Sequence, residues 1–322
     1  MSEKPVFNRL ALIGVGLIGS SIALAARAQG VAREIVATSR SKVTRNRIEE
    51  LKLADKVVDT PAAAVAGADL VIVCIPVGAY GAAAKEIGPH LAPGAIVSDV
   101  GSVKGSVLRD MAPHLPANVH FVPAHPVAGT ENSGPDAGFA ELFVNRWCIL
   151  TPPANADKAA VERLAAFWSA LGANVETMNA EHHDLVLAIT SHLPHLIAYT
   201  IVGTADELAT VTRSEVLKFS AGGFRDFTRI AASDPTMWRD VFLSNKDAVL
   251  EMLGRFNEDV SALTRAIRSG DGATLFDHFT RTREIRRGIV SIGQDSPVPD
   301  FGRKHPDLPV TPLPKPYSSN SD

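Results

Sequence analysis

The stretch "RLALIGVGLIGSS", residues 9–21, decides how the first half of the chain is read. Its apolar start has the length of a buried strand, and Gly14, Gly16 and Gly19 then form a G-x-G-x-x-G. The "SSIALAARAQG" that follows suits an Ala-rich helix closed by Gly30. In that strand–turn–helix setting each glycine has its own use. Gly14 permits the tight turn, Gly16 lets the backbone approach a pyrophosphate, and Gly19 lets helix and strand pack closely. The first helical N–H groups then bind phosphate, with Leu17 and Ile18 beside them. Residues 10–26 are apolar and nearly long enough to span a bilayer. Glycines and serines clustered in the middle of that run fit a strand, turn and helix better.

Outward from this loop, short β-like runs alternate with helical stretches: "EIVATSR", "KVVD", "ADLVIVCIPV", "GAIVSDVGS", "VHFVPAHP", "RWCILTPP" and "ANVETM". Apolar runs of this length separated by helices predict parallel strands buried on both faces, an α/β doubly wound sheet over residues 1–178. From about residue 180 the pattern becomes helical. "EHHDLVLAITSHLPHLIAYTIVGTADEL" reads as one helix bent at Pro194. A helix entering through Ser233 or Asp234, with Pro235 in its first turn, carries apolar residues at helical spacing through Phe256. Residues 179–293 are therefore expected to form an all-helical domain. Residues 294–322, rich in proline, are read as a disordered tail.

The place of the second strand's end reads "ATSRSKVTR". An acid there would bond a ribose 2′-hydroxyl, but Ser39 and Arg40 stand instead, which favours a 2′-phosphate, hence NADP, and leaves NAD open. A dinucleotide on such a sheet places its nicotinamide near the loops after the strands. Pro76, Ser102 and His125 each follow or end one of them. His125 sits between an apolar run and a turn-forming "PVAGTENSG", as a ring held in one orientation for catalysis would; a structural histidine bonded to backbone is the alternative. In the helical half, Ser191, His192 and His195 cluster about one turn, without the H-E-x-x-H pattern of a metal site, so no metal is expected. The His182–His183 pair is read as exposed. Arg229 could grip a substrate carboxylate, or pair with Asp226.

Composition narrows the classes. The 322 residues are 46% hydrophobic and 21% charged with a net charge of −3, which offers no electrostatic basis for binding nucleic acid or a membrane surface. Cys74 and Cys148, each inside an apolar run, suit buried free thiols, and the polar N-terminus lacks a signal peptide's pattern; a cytoplasmic protein is expected.

Together, "GVGLIGSS", "DVGSVKG", "HPVAGTENSGPDAGF", "EHHDLVLAITSHLPH" and "GGFRDFTRIAASDPTMW" resemble the prephenate/arogenate dehydrogenases of tyrosine biosynthesis, most closely the bacterial cyclohexadienyl type. The resemblance covers most of residues 9–290. It implies a Rossmann-type domain followed by a helical domain that forms a homodimer, and oxidative decarboxylation of prephenate or arogenate by NAD(P)+. It also implies that His125 is the catalytic histidine and that Ser102 and Ser191 orient it or the substrate hydroxyl. His195 and Arg229 would hold carboxylates, Thr130 and Glu131 would line the pocket, and Asp226 would position Arg229. Relatives often carry an acid at the end of the second strand, where this sequence departs.

Two other readings compete. A β-hydroxyacid-type dehydrogenase also joins a Rossmann domain to helices, but that class generally relies on a lysine that "ITSHLPHLIAY" lacks. A non-catalytic NAD(P)-sensing protein would keep the glycine loop without needing His125, Ser191 and Arg229.

Overall fold

The computed structural model describes residues 6–219 and 222–291; the tail expected at 294–322 lies outside them. Strands β1 (Phe7–Ile13), β2 (Ala32–Thr38), β3 (Lys56–Val58), β4 (Leu70–Val73), β5 (Ile96–Asp99) and β6 (His120–Phe121) form one parallel sheet in the order β3-β2-β1-β4-β5-β6. Helices α1 (Leu17–Gln29), α2 (Lys42–Glu50), α3 (Pro61–Val65), α4 (Tyr80–Ile87) and α5 (Gly105–Met111) make the connections. This is the Rossmann-type α/β arrangement that the alternating runs predict.

The period-2 alternation of the strands divides the core between two faces. Leu10, Leu12, Leu70 and Ile72 face one side, with Ile22 of α1 and Phe167 and Trp168 of a later helix. Ala11, Ile13, Val71 and Val73 face the other, with Tyr80, Ala84, Val107 and Met111. Register places Ile13, Thr38, Val73 and Asp99 in one row, so the loops after β1, β2, β4 and β5 leave the sheet at one edge. Strand order reverses between β1 and β4, which opens a crevice there.

The run "VHFVPAHP" does not form one strand. It leaves the large sheet after Phe121 and resumes as β7 (Ala124–Pro126), antiparallel to β8 (Trp147–Leu150), which is parallel to β9 (Asn174–Thr177). Pro123 has no N–H to donate to a ladder, so a change of sheet is cheapest at that point. Helix α6 (Lys158–Ala170) joins β8 to β9. Cys148 is buried as expected, whereas Cys74, at the end of β4 beside the glycine loop, is partly exposed.

The helical half begins with α7 (Ala180–Leu187), capped by the Asn179 side chain. A π segment, Ala188–His192, runs directly into α8 (Leu193–Phe219). The expected bend therefore takes the form of a widened turn just before Pro194, whose missing N–H leaves a carbonyl one turn back without its helical donor. Then follow α9 (Gly222–Thr228), a 3-10 turn (Arg229–Ala232), α10 (Pro235–Ser244) and α11 (Lys246–Ser269), and finally α12 (Gly272–Ser291). Asp234 is the N-cap of α10, accepting from the Met237 N–H at 2.8 Å. The long helix expected through Phe256 is interrupted at Asn245, which leaves the helical conformation with φ −110° and ψ 32°. The helices dock on the sheet's carboxyl edge: Trp238 and Val241 pack on Val103, and Gly78 approaches the Asp240 carboxylate so closely that a side chain would collide with it.

Candidate active site

The glycine loop has the properties its sequence implies. Gly14 adopts φ +89°, and a Cβ there would lie 2.6 Å from the Cys74 carbonyl oxygen. A Cβ on Gly19 would lie 2.6 Å from the Gly14 carbonyl, so helix and turn touch backbone to backbone. Gly16 is the N-cap of α1, has no side-chain cap, and has open space where a Cβ would project. The first N–H groups of α1 are thus presented to a space able to take a phosphate, and no acid stands in the first turn to oppose it. The site fits a dinucleotide. Leu17, Ile18 and Pro76 flank the crevice, with Pro76 exposed. At the end of β2, Arg40 is exposed; Arg45 instead folds back, donating to the Ser39 carbonyl at 2.7 Å and pairing with Asp59 at 2.9 Å.

His125 is the middle residue of β7 and is buried. Its Nδ1 lies 2.8 Å from Nε2 of His183. His183 Nδ1 lies in turn 2.8 Å from the Asp184 carboxylate, which also accepts the backbone N–H groups of Lys104 (2.7 Å) and Gly105 (2.8 Å). This arrangement fixes the tautomers. An ionised carboxylate only accepts, so His183 carries its proton on Nδ1 and offers a lone pair at Nε2. His125 must then donate from Nδ1, leaving its own Nε2 lone pair free to accept a proton or a hydroxyl hydrogen bond. Burial, above all, and then the neighbouring His183, Lys104 and His192 push the His125 imidazole well below the usual histidine range, so it is neutral near pH 7.

The pair His182–His183 is therefore not a surface pair. His182 is exposed but His183 is fully buried. Its signal was present in the sequence: Ala180, His183, Asp184, Leu187 and Ala188 share one helical stripe, and all are buried. Asp99 and Lys104 were also missed. Their side chains are fully buried and paired at 2.5 Å, and Lys104 Nζ also donates to the Ala124 carbonyl at 2.6 Å. Removing either partner strands a buried charge, at a cost of about 3–5 kcal/mol.

Ser102, half-buried, follows β5, and its backbone adjoins His192. His192 is buried and pushed down to about 4, chiefly by burial. The Asn245 amide donates to His192 Nδ1 (3.1 Å) and to the Asp184 carbonyl (2.8 Å), so the break after α10 ties the helices to the histidine cluster. Ser191 lies in the π segment, a feature that recurs at functional sites. Its carbonyl receives Nδ1 of His195 at 2.8 Å, and the His195 ring stacks on Trp238 with centroids 3.6 Å apart.

Thr130 and Glu131 lie on the loop after β7. Arg229, in the 3-10 turn after α9, donates to Glu131 at 2.6 Å. The expected link from Asp226 to Arg229 is absent among the described residues. Asp226 pairs with its neighbour Arg225 at 3.0 Å on the surface, because Arg229 turns towards the Glu131 loop. Thus the fold brings His125, Ser102, Ser191 and His195 to the junction of sheet edge and helices, with the Arg229–Glu131 pair at its rim, and leaves Asp226 outside.

Residues 22–177 match the family described as prephenate dehydrogenase, nucleotide-binding domain, and residues 179–281 match prephenate dehydrogenase, dimerization domain. The chain is 44% identical to the cyclohexadienyl dehydrogenase of Zymomonas mobilis, covering 88% of this chain and 97% of that protein. The crystal structure of Aquifex aeolicus prephenate dehydrogenase in complex with hydroxyphenyl propionate and NAD+ is 32% identical. Its TM-score is 0.81, with 88% of this chain and 98% of that one covered. The Synechocystis arogenate dehydrogenase structure is 26% identical with a TM-score of 0.72, covering 87% and 99%.

Proposed function

The chain belongs to the prephenate dehydrogenase family, and on that premise we propose that it oxidatively decarboxylates prephenate, arogenate or both, with His125 as its base. The observation that carries this reading is the Asp184–His183–His125 chain, which leaves one neutral imidazole lone pair facing the junction where a dinucleotide and a ring substrate would meet. When bound, the nicotinamide supplies the hydride acceptor. His125 Nε2 accepts the hydrogen bond of the ring hydroxyl and takes its proton as the carbinol carbon is oxidised. Ser102 and Ser191 orient that hydroxyl and the imidazole. Departure of the ring carboxylate as CO2 aromatises the product, so the protein's share is alignment and proton transfer.

Arg229 and His195 hold the substrate's carboxylates, and Thr130 and Glu131 line the same pocket. The Nδ1 of His195 already donates to the Ser191 carbonyl, so donating from Nε2 as well requires the imidazolium. Carboxylate binding and protonation of His195 therefore go together. Arg229→Ala is expected to raise KM for the substrate about 10- to 100-fold, the scale of a lost charged hydrogen bond, with kcat changed only a few-fold. Steady-state kinetics checks this, and an unchanged KM removes Arg229 from the carboxylate site.

Ser39 and Arg40 favour NADP+ by facing a 2′-phosphate. Arg40→Asp is expected to move the ratio of kcat/KM values towards NAD+ by about 10- to 100-fold, and an unchanged ratio places Arg40 away from the 2′ position. The helical half makes the homodimer. The run Ala180–Glu207 is long and apolar enough to cross a membrane by length and composition. It turns His183, Asp184 and His192 inward to the site, and its exposed Ile189, Ile201 and Val202 suit a second copy of the chain. Reduction of NAD+ and of NADP+ with prephenate and with arogenate, compared side by side, tests the whole reading. No reduction with either substrate would leave a β-hydroxyacid dehydrogenase or a nucleotide sensor.

A further inference from the structure

The Lys104 side chain is fully buried, and proton transfer through His125 makes no direct use of it. It meets His125 by two routes. Its ammonium donates to the Ala124 carbonyl, the residue immediately before His125, at 2.6 Å and to Asp99 at 2.5 Å. Asp99 closes this side by accepting the N–H groups of Ala124 at 3.2 Å and Gly101 at 2.7 Å. By the second route, the backbone N–H of Lys104, with that of Gly105, holds the Asp184 carboxylate that sets the tautomer of His183 and, through it, of His125.

We infer that Lys104 is a positioning residue for the base, clamping the β7 backbone with its ammonium and the Asp184 carboxylate with its N–H. The inference rests on the assignment of His125 as base. The groups acting on His125 are His183 from α7, His192 from the π segment and Lys104 at the start of α5, with Asp184 behind His183 and Asp99, at the end of β5, behind Lys104. With both rings neutral the network holds one cation and two carboxylates. A proton arriving on His125 brings it to neutrality, and Lys104 opposes an earlier one by its charge. A lysine needed only for packing would not couple to that proton.

The test uses the full-length enzyme with its cofactor and two variants, Lys104→Met and the doubly neutral Asp99→Asn/Lys104→Met. In Lys104→Met, kcat should fall about tenfold or more with KM nearly unchanged. The acid limb of kcat against pH should move upward by about one pH unit, because a nearby cation no longer resists protonation. The double variant, which strands no charge, should fold, return the limb towards its original position, and still turn over slowly because the Ala124 carbonyl stays unclamped. Unchanged kcat in either variant overturns the inference, as does a Lys104→Met variant that loses activity with its acid limb unmoved. If Lys104→Met does not fold, the double variant decides alone. A His125→Asn variant separates the two readings: if it turns over normally the base assignment fails, whereas if it is inactive and the Lys104 variants are normal, only the role of Lys104 fails.

Discussion

His125→Asn is expected to lower kcat by about two to four orders of magnitude, the range for loss of a general base, with KM for substrate and cofactor changed little. Asparagine keeps roughly the size of the ring's inner half and can still meet His183, so β7 and its ladder to β8 survive. What disappears is the Nε2 lone pair, an interaction that strengthens only as the hydroxyl proton leaves, and such losses fall on kcat. In the parent enzyme, turnover should decline on the acid side only well below the ordinary histidine range, because burial and the neighbouring cation hold His125 unprotonated until then. In His125→Asn that limb should vanish. Equal losses in kcat and affinity would make His125 a binding residue.

Asp184→Asn should come close to the same loss, although Asp184 touches no substrate. Its carboxylate accepts from His183 and from two backbone N–H groups. An amide has one accepting oxygen and one donating nitrogen. If the nitrogen faces His183, that ring must present a lone pair at Nδ1 and carry its proton on Nε2. His125 must then accept at Nδ1, and its proton moves to the atom that should be the base. If the nitrogen faces the backbone, two donors oppose each other at the start of α5. We expect kcat to fall about 10²- to 10⁴-fold at neutral pH, the scale seen when the carboxylate behind a catalytic histidine is made an amide. Histidine ¹⁵N shifts report the tautomer directly. Because both residues act through one lone pair, the double variant should be no worse than His125→Asn alone. Normal turnover with an unchanged tautomer would take Asp184 out of the mechanism.

What could be read from the sequence was what is local. The roles of Gly14, Gly16 and Gly19 depend on three consecutive elements, so spacing alone carries them, and the structure gives each the contact or opening that its role needs. The partner of His125 lies 58 residues away on another domain's first helix, and no periodicity connects two such positions; only the apolar stripe around His183 hinted that it turns inward. The same distance defeated the choice of partner for Arg229. Asp226 was the near candidate, while Glu131, 98 residues away, holds it. Pro123 and Asn245 divided what looked like a single strand and a single helix, since local pattern cannot show where the chain changes its packing partner.

Three imidazoles, His125, His183 and His192, are stored uncharged inside the junction of sheet and helices. In an unfolded chain each would take up a proton near pH 6.5, but in the native molecule only at lower pH, for His192 at about 4. Between those limits the unfolded form binds more protons, so each step downward in pH favours it. Acidification thus acts on architecture as well as on turnover: the protons that silence the base also loosen the seam between the two halves of the molecule.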